Sequence, residues 1–135
     1  MRYLILAFVL LCSSIGYSEP IGDQFPSSGE ELLAGCKLWA AVNAHDCKKK
    51  DCDHFTKEDA FRAISTFEYV KGYFFGVRTS QAISGRRIID FPKEGIDCST
   101  LVGPLTEFLE SDEKLRSGHA SIALFVFFAK RYSSK

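Results

Sequence analysis

The chain has no surplus of charge of either sign. Its 135 residues carry 17 lysines and arginines against 17 aspartates and glutamates. A protein that grips nucleic acid needs excess cations to neutralise phosphates. The basic runs here, Lys48-Lys49-Lys50 and Arg86-Arg87, are short and flanked by acids, so nucleic acid is not an expected partner. Long hydrophobic runs are also missing. A spanning helix needs roughly 20 apolar residues; residues 4–11 supply about half of that, and residues 122–129 have only the length of a core segment. The chain shows no strand alternation worth assigning and no internal repeat. It has no Gly-rich phosphate loop, no nucleophile elbow and no set of acid, base and nucleophile. Enzyme activity and a cofactor are therefore not expected. What is present is a hydrophobic fraction of 46%, too high for a disordered chain, in a length that suits one domain.

The N-terminus has the layout of a secretory signal peptide: Arg2 is a positive start, residues 4–11 are apolar, and residues 12–18 turn small and polar. A cut after Ser18 would put Gly16 and Ser18 at the two small-residue positions. The expected organisation is a signal peptide over 1–18, a single domain over 19–135, and no membrane span once the leader is removed. Loss of Arg2 leaves 16 basic against 17 acidic side chains, and loss of Cys12 leaves Cys36, Cys47, Cys52 and Cys98. Four cysteines in an oxidising compartment suggest two disulfides. Three pairings are open; closeness in sequence favours Cys47 with Cys52, which leaves Cys36 with Cys98.

The remainder reads as all-α: a compact bundle of about four helices, with a long ordered loop between the second and third. Residues 19–27 form an irregular arm. Ser28-Gly29-Glu30-Glu31 is a capping-box pattern, and Leu32, Leu33, Cys36, Trp39 and Ala40 follow at helical spacing. Thr56-Lys57-Glu58-Asp59 is a second capping box. After it, Phe61, Ile64, Phe67, Val70, Phe74 and Val77 are expected to form one apolar stripe. Gly72, Gly76 and Ser80 lie on another face, where small residues would let a second helix come close. Gly85, Pro92 and Gly95 break the periodicity over 84–97. Asp97 can cap a third helix carrying Leu101, Val102, Leu105, Phe108 and Leu109. Ser111 and Asp112 can start a fourth, running from Leu115 through Ala120, Ala123 and Leu124 to Phe127 and Phe128, with Lys130 and Arg131 at the negative end of its dipole.

The most suggestive chemical cluster is His45-Asp46-Cys47-Lys48-Lys49-Lys50-Asp51-Cys52-Asp53-His54. Cysteine and histidine are zinc ligands, but the spacing fits no common finger, and an oxidising compartment favours a small disulfide loop. No metal site is expected. Ser117 and His119 are read as helix surface.

The order of several segments resembles the Rap1a/Tai immunity family. These are Leu32-Leu33-x-x-Cys36, then Val70-Lys71-Gly72-Tyr73-Phe74-Phe75-Gly76-Val77, then Phe91-Pro92-x-x-Gly95-Ile96-x-x-x-x-Leu101. Glu107-Phe108-Leu109, Leu115-Arg116 and the helix through Ala120 and Ala123 extend the likeness, which covers about residues 29–129. The family commonly has a cysteine where this chain has Val70, and another just before the loop proline, where this chain has Asp90 and Phe91. It also has a terminal cysteine that is missing here. The resemblance implies a small helical protein of the Gram-negative periplasm. Such proteins bind toxic effectors delivered by type VI secretion, in the best-known cases amidases that cut peptidoglycan peptides, and they occlude the toxin's active site. Some members are homodimers, and the same state is open to this chain.

Arginine and aromatic residues are frequent interface anchors. The loop supplies the candidate partner-binding residues Arg86, Arg87, Ile88, Ile89, Asp90 and Phe91, with the expectation that the arginines and whichever apolar side chain is exposed touch a cognate effector. Two other readings are a periplasmic stress chaperone that opens in acid and an adaptor subunit of a secretion apparatus.

Overall fold

The computed structural model describes residues 25–44 and 55–133. Among the described residues there are five α-helices and no strand: α1 (Gly29–Ala44), α2 (Lys57–Ser84), α3 (Val102–Glu110), α4 (Glu113–Ser117) and α5 (Ala120–Arg131), with a 3-10 turn (Cys98–Leu101) leading into α3. The all-α expectation holds. Among the described residues no helix is long and apolar enough to cross a membrane. The leader, the Lys48–Lys50 run, Cys47, Cys52 and the His45–His54 cluster lie outside the described residues.

Both capping motifs form. Ser28 Oγ accepts from the Glu31 N–H at 3.2 Å, and the Glu31 carboxylate reaches back to the backbone N–H of Ser27 at 2.7 Å. At α2 the box is fully reciprocal: Asp59 N–H donates to Thr56 Oγ1 at 3.1 Å, and Thr56 N–H donates to the Asp59 carboxylate at 3.0 Å. These bonds satisfy N–H groups that a helix start leaves without partners. They also hold the Glu31 and Asp59 carboxyls below their ordinary range. Asp97 caps the 3-10 turn through Ser99 N–H at 2.9 Å, so α3 is entered through a tighter turn.

The expected fourth helix is two. Gly118 is extended at φ −88°, ψ −177°, and with His119 it pairs against the N-terminal arm. Gly29 N–H donates to Gly118 O at 2.9 Å, and Ala120 N–H donates to Ser27 O at 3.1 Å. The break is therefore tied down by a contact distant in sequence, and exposed His119 begins α5 instead of lying on a helix surface. Arg116 secures the same corner. Its Nη1 donates to Leu109 O and Glu110 O at 3.1 and 2.7 Å, covering carbonyls at the end of α3, and its Nε donates to Glu30 of α1 at 3.0 Å.

The core gathers Leu32, Leu33 and Cys36 from α1, Val70 and Phe74 from α2, Leu101, Val102, Leu105 and Leu109 from the 3-10 turn and α3, and Ala120, Ala123, Leu124, Phe127 and Phe128 from α5. At Gly35, α1 packs directly on α2: a methyl group there would occupy the space of the Thr66 side chain. Gly72 and Gly76, which the sequence marks as a close-packing face, have nothing within 4 Å of a would-be Cβ. The α2 stripe also needs correction. Ala63, Thr66, Phe67, Val70, Phe74 and Val77 turn inward, whereas Phe61 and Ile64 are 52% and 55% exposed. α2 thus carries apolar residues on two opposite faces and buries one of them.

Cys36 and Cys98 are separate buried thiols, so the expected Cys36–Cys98 bridge is not formed. Cys36 packs among the α1 leucines, where burial pushes its thiol up to about 12. Cys98 opens the 3-10 turn within the fields of Glu68 and Lys71 of α2; burial and then Asp97 raise its thiol. Both act as small hydrophobes.

Candidate partner-binding loop

The loop between α2 and the 3-10 turn begins with a reversal at Gly85, whose φ of 67° lies in the left-handed region that closes many helices. One side chain of α2 then organises the next residues of the loop. Gln81 Oε1 accepts from the N–H groups of Ile88 and Ile89 at 2.8 and 2.6 Å, while its Nε2 donates to Ile89 O at 2.9 Å. The amide thus holds three backbone groups of a bend at Ile88 and Ile89. A second tie runs to the end of α5, where Asp90 N–H donates to Tyr132 O at 2.9 Å. A third joins Arg78 Nη2 to Lys93 O at 3.3 Å.

Packing against the bundle sorts the six candidate residues. Ile89 is 1% exposed and belongs to the core. Phe91 packs edge-on against Phe74 and Phe128, at ring-centroid distances of 4.9 and 5.7 Å, and against Tyr132 at 5.5 Å. These two are anchors of the loop, which corrects their assignment as partner contacts. Ile88 faces outward at 64% exposure. Arg86, Arg87 and Asp90 are exposed beside it, with Arg87 Nη1 at 3.7 Å from Asp90 Oδ1. That ion pair is long and open to solvent, so it contributes little stability. Arg86 makes no ion pair among the described residues.

Sequence reasoning missed Gln81 and Ile83. Gln81 continues the inward stripe after Val70, Phe74 and Val77, at steps of four, three and four residues. A polar amide there, next to a loop, is a legible sign of a side chain bonding to backbone. Ile83, 82% exposed, joins Ile88 at the same end of α2. A shallow groove of about 560 Å³ runs up α2 toward it, lined by Phe75, Gly76, Thr79, Ser80, Ile83 and Ser84.

The chemistry available at this end is recognition: two guanidinium groups, one carboxylate and two exposed branched aliphatics on a fixed backbone. Among the described residues no group of three or more His, Cys, Asp or Glu is placed to hold a metal ion. Comparison of the chain with protein-family models, with curated proteins and with solved structures found no match.

Proposed function

We propose that this chain is a periplasmic immunity protein. It binds a toxic effector delivered by type VI secretion, an amidase of peptidoglycan peptides, and blocks the effector's active site with the loop over residues 84–97. The observation that carries the reading is the rigid presentation of Arg86, Arg87 and Ile88. Gln81, Tyr132 and Arg78 hold the loop backbone while the core holds Ile89 and Phe91. A loop fixed before binding loses little conformational entropy on association, which favours affinity. Exposed arginines speed encounter with a carboxylate-lined cleft, and Ile88 supplies the apolar centre that interfaces need. The helical fold and the resemblance of the segment order to the Rap1a/Tai family support the same reading.

The test is direct. The immunity reading predicts that the neighbouring gene encodes the effector, so the mature chain is titrated against that gene's product and the product's hydrolysis of peptidoglycan is followed. Wild type is expected to bind and inhibit. Arg86→Ala with Arg87→Ala, or Ile88→Asp, is expected to weaken binding by 100-fold or more, on the order of 3 kcal/mol. Unchanged affinity in these variants would place the recognition surface elsewhere.

A further inference from the structure

We propose that the outward face of α2 and the start of the loop after it dock on the surface of an anionic phospholipid bilayer. Phe75, Ile83 and Ile88 dip among the acyl chains, and Arg78, Arg86 and Arg87 meet the phosphates. Phe61, Ile64, Phe75 and Ile83 are 50–82% exposed, and at 3.6 residues per turn they fall within about 100° of the helix circumference. Phe61, Gly72 and Ile83 recur every 11 residues. That period is close to the natural turn of the helix, so the band runs nearly straight along α2. A contiguous exposed apolar band marks a surface that docks on something.

Charge identifies the occupant. The chain as a whole is balanced, yet residues 71–89 hold four cations, Lys71, Arg78, Arg86 and Arg87, and no acid. Lys71 and Arg78 border the band along one edge, and Arg86 and Arg87 follow its end. Long basic side chains lay their stems along an apolar surface while their heads reach outward. Glu68 is the carboxylate within the band; Lys71 pairs with it at 3.3 Å, so the two reach the headgroups without net charge. Arg78 spends one Nη on Lys93 O and keeps the other donors of its fork. Arg87 exchanges its long contact to Asp90 for a phosphate. A protein partner fits less well, because its anchors need enclosing pockets, whereas the groove over Phe75, Thr79 and Ile83 is shallow and no charged side chain lines it. A fluid bilayer takes each apolar side chain separately. An apolar band edged by cations, on a helix that does not span, is the pattern of an element lying in the membrane interface. The opposite face of α2 stays packed on the bundle, so docking needs no unfolding. It does not rest on the effector reading, although Arg86, Arg87 and Ile88 can face only one of lipid and effector at a time.

The experiment uses the mature chain without effector. The chain is expected to co-sediment with vesicles of phosphatidylglycerol mixed with phosphatidylcholine, to stay in solution with phosphatidylcholine alone, and to be released by added salt. Arg86→Gln with Arg87→Gln is expected to weaken the partition about 25-fold, since each cation near an anionic surface is worth roughly fivefold. Ile83→Ser, at an exposed site, is expected to weaken it about tenfold or more at unchanged helix content. Ile83→Trp is expected to shift its emission to the blue on the mixed vesicles, while Thr100→Trp, exposed on the 3-10 turn, is not. Absence of binding to the mixed vesicles, equal binding to phosphatidylcholine alone, unchanged partition of the Ile83→Ser chain, or an unshifted Ile83→Trp emission would each overturn the docking. So would an α2 face that is protected only when a protein partner is added.

Discussion

Gln81 is the sharpest test of how the loop is held. Gln81→Ala removes three hydrogen bonds to the Ile88–Ile89 backbone. Each such bond contributes about 0.5–1.5 kcal/mol net. Water can replace the bond at exposed Ile88, but less readily at Ile89, whose side chain is buried in the core. The expected cost is about 2–3 kcal/mol, concentrated in local opening of the loop. Amide exchange at Ile88 and Ile89 should then accelerate about 30- to 150-fold, since each 1.4 kcal/mol is tenfold. Amides in the middle of α5 should change less. Gln81→Glu is the informative intermediate: it keeps the oxygen that accepts from Ile88 and Ile89 but sets a second carboxylate oxygen against Ile89 O, so its exchange rates should lie between wild type and Gln81→Ala. Wild-type exchange at Ile88 and Ile89 in the alanine variant would refute the clamp and remove the basis for a preformed loop.

Three further outcomes are expected. Gly35→Ala drives a methyl group into Thr66 and should cost more than about 2 kcal/mol in urea unfolding despite the better helix propensity of alanine, whereas Gly72→Ala, open on that side in the single chain, should not lower helix content. Asp59 and Asp97 are held below the ordinary aspartate value of 3.8, and Glu31 below 4.5, by hydrogen bonds from Thr56, Ser99 and Ser27 respectively. A lowered folded pKa adds stability that is complete above the ordinary value and is lost as pH falls through the folded one. Melting temperature should therefore be flat down to about pH 5 and then decline, and Asp59→Asn should make that decline shallower. Cys36 and Cys98, buried with raised thiol pKa values, should react slowly with a thiol reagent in the native protein and rapidly in denaturant; failure to react even in denaturant without reductant would show a bridge.

The sequence makes local features legible and leaves long-range ones obscure. Ser28, Thr56, Asp97 and Asp112 announce helix starts because a cap needs only its next few residues. The split at Gly118 is not readable from its neighbours, because what stabilises it is the arm at Ser27 and Gly29, some 90 residues away. Periodicity assigns Phe61 and Ile64 to the core because it records that a face is apolar, not whether a described neighbour covers it. Within the loop, Ile88, Ile89 and Phe91 are all apolar, so the sequence does not show which of them turn inward; the ties to Gln81 and Tyr132 set that. Reasoning from compartment pairs the cysteines, whereas the fold uses Cys36 and Cys98 as apolar packing on separate elements.

The measurement that bears most directly on the proposed role is a hydrogen-exchange footprint of the mature chain with and without the product of the neighbouring gene. Inhibition through the loop predicts protection concentrated over residues 83–90, beginning at Ile83 and including the Arg86–Ile88 amides, with little change around α4. Strong binding that protects α4 and α5 but leaves residues 83–90 unchanged, or no binding at all, would contradict it.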